Sequence, residues 1–219
     1  TNGKFEYEMN GKFLKEVNKE KDLGIIISND LKSSKQCLAA CKKANKMLGI
    51  ISINVAYKSK KVISKLVDSY VRPQLEYCVQ AWSPHFRQDV LMIEKVLRRS
   101  TTEIPSLRHL EYPDRLKSLG MYSYERRYLR GDMILVYNMF NGIVDLNIEN
   151  FFEMETSNRT RGHNLKLKKK HCRLDVRKFF FIHCVVDFWN DLPSDVVNSN
   201  SLNIFKRRID EYMNLLNLV

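Results

Sequence analysis

The chain has 219 residues, 44% of them hydrophobic and 28% charged, a balance that is typical of a globular protein and excludes a largely disordered one. Its 37 basic and 25 acidic side chains leave a net charge of +12, which favours a polyanionic partner, either nucleic acid or an anionic membrane surface. No run of about 18 apolar residues occurs, so we expect no membrane-spanning helix.

The first 28 residues have the pattern of a small antiparallel β element. Residues 5–9 alternate between apolar and charged side chains, Asn10-Gly11 is a favoured two-residue hairpin turn, and residues 12–17 supply a return strand. The run 23–27 is rich in β-branched residues and predicts a third, more buried strand. Three short strands bury little surface, so we expect them to pack against the helices that follow or to belong to a larger sheet.

A change to helical periodicity near Ser33 begins a predicted helical domain over residues 29–142. Ser33 or Ser34 caps its first helix. The inner face of this helix is predicted to hold six residues: Cys37, Leu38, Cys41, Ala44, Leu48 and Ile51.

The most apolar stretch, residues 62–84, is predicted to be the buried central helix of this domain. The helical spacing places four residues on its first buried face: Ile63, Leu66, Val67 and Tyr70. Pro73 lacks a backbone donor and restricts Arg72, so we expect a kink near residue 72. Three further helices are predicted: 88–103, 106–120 and 122–141.

A change of composition near residue 143 predicts a separate C-terminal region. Acidic and amide residues dominate 145–155, whereas 159–178 contains nine basic residues and one acidic residue. Two helices are predicted after it, over 179–189 and 201–218. The predicted fold is mainly α, with a small N-terminal antiparallel β element, a helical bundle and a basic helical C-terminal region. These occupy residues 1–28, 29–142 and 143–219.

The residues that would support catalysis are missing from the sequence. It has no glycine-rich phosphate loop, no nucleophile elbow, no zinc-protease motif and no adjacent pair of aspartates. We therefore predict no enzymatic activity, no cofactor and no catalytic residues. The pairs His171-Cys172 and His183-Cys184 could bind zinc, but their spacing differs from that of structural zinc sites, so we predict no metal and keep zinc as the alternative.

The five cysteines are scattered, without a C-x-x-C pair, and no secretory signal pattern begins the sequence. This combination indicates a reducing compartment. We expect an intracellular protein, nuclear or cytoplasmic and not secreted, without a membrane partner.

Basic side chains recur on several segments together with aromatic residues, a combination that suits phosphates with occasional base stacking. The predicted nucleic-acid contacts are Lys42, Lys43, Lys46, Arg98, Arg99, Arg126, Arg127, Arg130, Arg159, Arg161, Lys166, Lys168, Lys169, Lys170 and Arg173. Six of them should converge on one concave face: Lys42, Lys43, Arg98, Arg99, Arg126 and Arg127. Scatter of these six over opposite faces would favour a protein-interaction module.

Seven short motifs follow one another along nearly the whole chain: Lys21-Asp22-Leu23-Gly24, Val71-Arg72-Pro73-Gln74-Leu75-Glu76-Tyr77, Trp82-Ser83-Pro84, Glu94-Lys95-Val96 with Arg98-Arg99, Arg159-Thr160-Arg161-Gly162-His163, Phe188-Trp189-Asn190-Asp191-Leu192-Pro193 and Phe205-Lys206-Arg207-Arg208. In this order they resemble the C-terminal part of non-LTR, LINE-type, jockey-like retrotransposon reverse transcriptases. The resemblance implies that residues 1–28 correspond to the last strands of the polymerase palm and 29–142 to the thumb that grips the primer–template duplex. It places 143–219 in the region after the thumb.

The same resemblance implies a partner, RNA or an RNA–DNA hybrid held through its phosphates, and a protein partner in the missing palm and fingers. The Tyr-x-Asp-Asp active site of that family is absent from the chain. We therefore predict a non-catalytic nucleic-acid-binding fragment derived from an RNA-directed DNA polymerase. Two alternatives stay open. In the first, the chain is a helical structural or protein-interaction module, or an inactive remnant. In the second, it is an incomplete piece of a full-length reverse transcriptase.

Overall fold

The computed structural model describes residues 5–155, 162–173 and 175–216 and confirms a mainly helical protein with small antiparallel sheets near the N-terminus. The strands are β1 (Glu8–Met9), β2 (Lys12–Phe13), β3 (Lys19–Asp22) and β4 (Ile25–Ser28). The helices are α1 (Ser34–Asn54), α2 (Lys60–Leu66), α3 (Arg72–Glu76), α4 (Val79–Trp82), α5 (Arg87–Thr102), α6 (Tyr112–Leu119), α7 (Tyr124–Phe140), α8 (Asp175–Lys178), α9 (Phe181–Asp191), α10 (Ser194–Val197) and α11 (Leu202–Leu215). A π-helical turn, Val67–Val71, joins α2 to α3.

The four strands form two separate hairpins. Asn10 and Gly11, with φ of 51° and 73°, make the predicted turn between β1 and β2. A second left-handed turn at Leu23-Gly24 joins β3 to β4, so the predicted third strand begins two residues late. Its partner β3 consists of charged residues only and carries no apolar alternation that the sequence could reveal.

The two hairpins differ in whether they contact the helices. Strand β4 rests on the helices, because the Ile26 N–H donates to Gln36 Oε1 at 3.0 Å and Tyr77 Oη donates to the Leu23 carbonyl at 3.0 Å. The first hairpin and its flanks leave six apolar side chains exposed: Phe5, Tyr7, Met9, Phe13, Leu14 and Val17. The predicted dependence on the helices therefore holds for the second hairpin.

Helices α1 and α5 run parallel and form the centre of the first hydrophobic core. Ser34 Oγ donates to Asp89 Oδ2 at 2.6 Å where both helices begin, and Ser52 Oγ donates to Glu103 Oε2 at 2.9 Å where both end. The buried face of α1 matches the prediction except for Leu38, which is 45% exposed.

The predicted central helix is broken twice. Pro73 has no N–H to donate, and the turn before it widens, so that the Arg72 N–H donates to the carbonyl of Val67, five residues back. This irregular turn lies where the kink was expected. The second break was not predicted: Cys78 adopts a left-handed conformation with φ of 47° and separates α3 from α4. The Trp82 indole N–H donates to the Tyr77 carbonyl at 2.8 Å across this break.

Helix α7 connects the first core to a second one. Its first residue, Tyr124, packs in the first core, whereas Met133 and Val136 belong to the second. Trp189 of α9 is fully buried there, and its indole N–H donates to the Leu165 carbonyl at 2.8 Å. The two cores therefore share α7 as a common element.

Candidate nucleic-acid interface

The exposed sides of α1 and α5 carry two pairs of basic residues, one pair on each helix. Lys42 and Lys46 are one turn apart on α1, and Lys95 and Arg99 are one turn apart on α5. Arg99 Nη1 donates to Asn45 Oδ1 at 3.3 Å, which places the α5 pair beside the α1 turn that holds the two lysines. We call these four residues the α1–α5 seam.

The seam keeps most of its positive charge, although the Glu103 carboxylate interacts electrostatically with Arg99. Among residues 5–155, 162–173 and 175–216, none of the four basic groups has an ion-pair partner within 4.0 Å. Glu103 lies one turn beyond Arg99, but its carboxylate accepts from Lys58 Nζ at 2.7 Å. Burial raises the pKa of Glu103, while the hydrogen bonds from Lys58 and Ser52 outweigh burial and lower it overall. The seam therefore remains positive.

Three residues near the seam differ from the prediction. Lys95 was not among the predicted contacts, although its spacing of four residues from Arg99 is visible in the sequence. Lys43 lies two residues before Asn45 and hence faces away from α5, where it neighbours Lys46, three residues further on. The Arg98 guanidinium lies 5.0 Å from the centre of the Tyr112 ring, toward α6.

Two of the predicted arginines on α7 form bidentate ion pairs inside the protein. Arg127 donates from Nε and Nη2 to the two carboxylate oxygens of Glu76, each at 2.8 Å. These hydrogen bonds raise the pKa of Arg127. Arg130 donates to Asp210 Oδ1 and Oδ2 at 2.6 and 3.0 Å. A phosphate would have to displace a well-aligned carboxylate to bind either residue.

Arg126, the third predicted arginine on α7, is buried. Its guanidinium lies 3.8 Å from the centre of the Tyr122 ring, and Nη2 donates to Asn214 Oδ1 at 2.7 Å. The three arginines thus join α7 to α3 and α11. The six residues that were expected to share one face are not brought together, because Arg126 and Arg127 are held by other side chains and Lys43 faces away from α5. This is the scatter that favours a protein-interaction module.

The predicted C-terminal cluster is partly engaged in surface ion pairs. Arg159 and Arg161 lie outside the described residues, Lys166 is half-buried, and Arg173 is exposed. The carboxylate of Glu153 pairs with both Lys168 and Lys170, at 3.3 and 2.8 Å, and Asp187 pairs with Lys169 at 2.5 Å. Exposed pairs of this kind are weak, so these lysines remain available to a polyanion.

The two His-Cys pairs do not form a cluster of metal ligands in the described part of the chain. The Cys172 Sγ atom lies 3.2 Å from His183 Nε2, and no group of three or more histidine, cysteine or acidic side chains comes together among these residues. Partial burial and the positive charges of Arg177 and Lys170 lower the pKa of His183. The zinc alternative gains no support from this arrangement.

Comparison with models of known protein families, with curated proteins and with solved structures finds no match for the chain. Within the described ranges, no helix has both the length and the apolar character needed to cross a membrane. The inner face of α1 is buried in the first core, whereas Leu38, Ile50 and Ile53 of the same helix are exposed.

Proposed function

We propose that the chain is a non-catalytic nucleic-acid-binding module that holds RNA or an RNA–DNA hybrid through its phosphates along the α1–α5 seam. One observation carries this proposal: each of two parallel helices presents two exposed basic groups, and none of the four has a carboxylate ion-pair partner among the described residues. Rows of lysine and arginine at helical spacing suit a phosphate backbone, because each contact releases a condensed counterion. The resemblance to a LINE-type reverse transcriptase thumb implies the same kind of partner for the same helices.

Neutralising the α1 part of the seam is expected to reduce the salt dependence of binding. In the variant Lys42→Gln/Lys46→Gln, the slope of log K against log salt should become less steep by roughly 1.5, because each lost phosphate contact contributes about 0.7 to 0.9. The measurement is fluorescence anisotropy of the folded chain with single-stranded RNA and with an RNA–DNA hybrid, over a series of salt concentrations.

The matched control is Lys61→Gln/Lys65→Gln. These two lysines are also exposed and one turn apart, but they lie on α2, and their replacement changes the net charge by the same amount. An equal loss of slope in the two variants would show a nonspecific charge effect and contradict the seam. Failure of the folded wild-type chain to bind either nucleic acid at low salt would overturn the proposed function itself.

A second candidate function, protein interaction, is favoured by the exposed first hairpin. Strands β1 and β2 form a sheet of their own, whose outer edges have no strand partner in the described residues, and six apolar side chains in this segment are exposed. Free edges and exposed apolar residues are typical of a surface that adds a strand from another protein. In this case the hairpin, and not the seam, would be the interaction surface.

Replacing Tyr7 and Phe13 with Ser tests this second candidate. The free energy of unfolding should change by less than about 0.5 kcal/mol, because both side chains are exposed in the folded chain. Self-association, measured by sedimentation velocity at increasing protein concentration, should decrease because the apolar edge is removed. An unchanged distribution of oligomers, with wild-type RNA binding, would remove the support for the hairpin.

A further inference from the structure

A cavity of about 920 Å³ opens between the turn that joins α4 to α5, the loop before α1 and the segment that enters α9. Six large aromatic side chains line it: Trp82, Phe86, Phe151, Phe179, Phe180 and Phe181. Phe180 is 50% exposed and lies at the mouth, whereas Trp82 is buried in the wall. The volume is within the usual range for sites that hold ligands of about drug size, so it can hold planar rings.

The cavity walls combine flat aromatic surfaces with a few polar groups. His85 stacks on Phe179, with ring centres 4.2 Å apart and planes inclined by 6°. Gln80 and Ser83 also line the cavity, and their polar side chains lie near Asp132 and Tyr128 respectively. Planar π-systems that present polar edges, such as nucleobases, match this combination.

The cavity lies at one end of the α1–α5 seam. Lys32 and Ser33 line it and directly precede α1, and Phe86 and Arg87 line it where α5 begins. The helices are parallel, so the seam runs away from the cavity and reaches Lys46 and Arg99 about 18 Å along the axis, at 1.5 Å per residue. A strand that follows the seam toward the helix N-termini therefore arrives at the aromatic cavity.

Two cations at this end of the seam suit a phosphate beside the opening. Lys32 Nζ lies 5.9 Å from the centre of the Phe86 ring. Arg87 is 73% exposed, and its ion pair with Glu125 is long, at 3.4 Å, so a phosphate can replace the carboxylate. Asp30 also lines the cavity, and its carboxylate accepts from Ser28 Oγ at 2.5 Å and from the Lys32 N–H at 3.2 Å.

We propose that the cavity binds an unstacked base of a single-stranded nucleic acid whose phosphates follow the seam. This inference rests on the proposed function and specifies its substrate as single-stranded RNA or the single-stranded end of a hybrid. A base in the cavity stacks on the phenylalanine rings. A fully paired duplex must first release a base, so the cavity selects for single strands.

The test is a titration of the folded chain with a short single-stranded RNA that carries 2-aminopurine flanked by uridines. Wild-type protein should quench the emission, because the base stacks on aromatic side chains. Phe180→Ala should weaken affinity by about 5- to 100-fold and reduce the quenching, as expected for the loss of one stacking contact. Its salt slope should stay that of the wild type, since no phosphate contact changes.

Tyr70→Ala is the matched control, because Tyr70 is 51% exposed and does not line the cavity. It should leave affinity and quenching unchanged.

The outcomes separate the inference from the proposed function. Salt-dependent RNA binding with no change in 2-aminopurine emission, and equal affinities for Phe180→Ala and Tyr70→Ala, would overturn the cavity while leaving the seam intact. A second result would also overturn the cavity inference: anilinonaphthalene sulfonate binds saturably and RNA does not displace it. The cavity would then be a site for apolar molecules. The absence of any RNA binding would instead reject the proposed function.

Discussion

Replacing Asp132 with Asn is expected to raise the free energy of unfolding at pH 8 by about 2 to 4 kcal/mol and to have little effect near pH 4. Asp132 lies on α7 between the two cores and is 1% exposed. Its Oδ1 atom is buried and has no hydrogen-bond partner among the described residues. An ionised carboxylate in this position is unfavourable, and the amide has nearly the same shape without the charge.

The direction of the pH dependence follows from the pKa of this carboxyl. Burial raises the pKa of Asp132 to about 7, although the nearby Tyr128 and Gln80 side chains partly oppose the increase. In the unfolded chain the group ionises near its ordinary pKa of 3.8. Between these two values the folded protein holds a proton that the unfolded chain has released. Stability conferred by the protonated group is therefore lost as pH rises from about 4 to 7.

Urea unfolding of wild type and Asp132→Asn at pH 4, 5, 6, 7 and 8 measures this effect. The difference between the two free energies of unfolding should grow with pH and level off above about 7. Asp145→Asn is the control, since Asp145 is exposed and its replacement should give a small difference at every pH. A difference for Asp132→Asn that is constant across the series would show that burial of charge is not its cause.

The order and type of the helices could be predicted from the sequence, because helical periodicity and the stops at Pro and Gly are local signals. The details of the central stretch could not. The predicted buried face included Tyr70, but the wide turn before Pro73 adds a residue to the helical repeat, and Val71 is buried in its place while Tyr70 is exposed. The break at Cys78 depends on contacts made after folding, such as the bond from Trp82 to the Tyr77 carbonyl.

The nucleic-acid interface was harder to predict from the sequence. Sequence pattern does not distinguish a basic residue that binds a phosphate from one that pairs with a carboxylate of the same protein. Arg127 and Arg130 pair with Glu76 and Asp210, which are 51 and 80 residues away along the chain. No local pattern reveals such partners. Lys42 and Lys46 on α1, in contrast, have no ion-pair partner within 4.0 Å in the described structure, and their exposure follows from the buried face that the sequence did predict.

Arg130→Ala is expected to lower the free energy of unfolding by about 1.5 to 3 kcal/mol, because it removes two charge-assisted hydrogen bonds and leaves Asp210 unpaired between α7 and α11. Asp210→Ala should have a similar effect. The double variant should be little worse than either single one, so that a double-mutant cycle in urea gives a coupling energy above about 1 kcal/mol. Additive effects would show that the two side chains do not stabilise each other.

The control for this cycle is Arg207→Ala. Arg207 lies on α11 and pairs with Glu211 at 3.8 Å in an exposed position, so its loss should change stability by less than about 0.5 kcal/mol. RNA binding by folded Arg130→Ala provides the second readout. Its salt slope should equal that of wild type, whereas Lys42→Gln/Lys46→Gln should show a reduced slope with unchanged stability. If Arg130→Ala instead reduced the slope by about 0.7 or more, the α7 arginines would belong to the interface after all, as the sequence predicted.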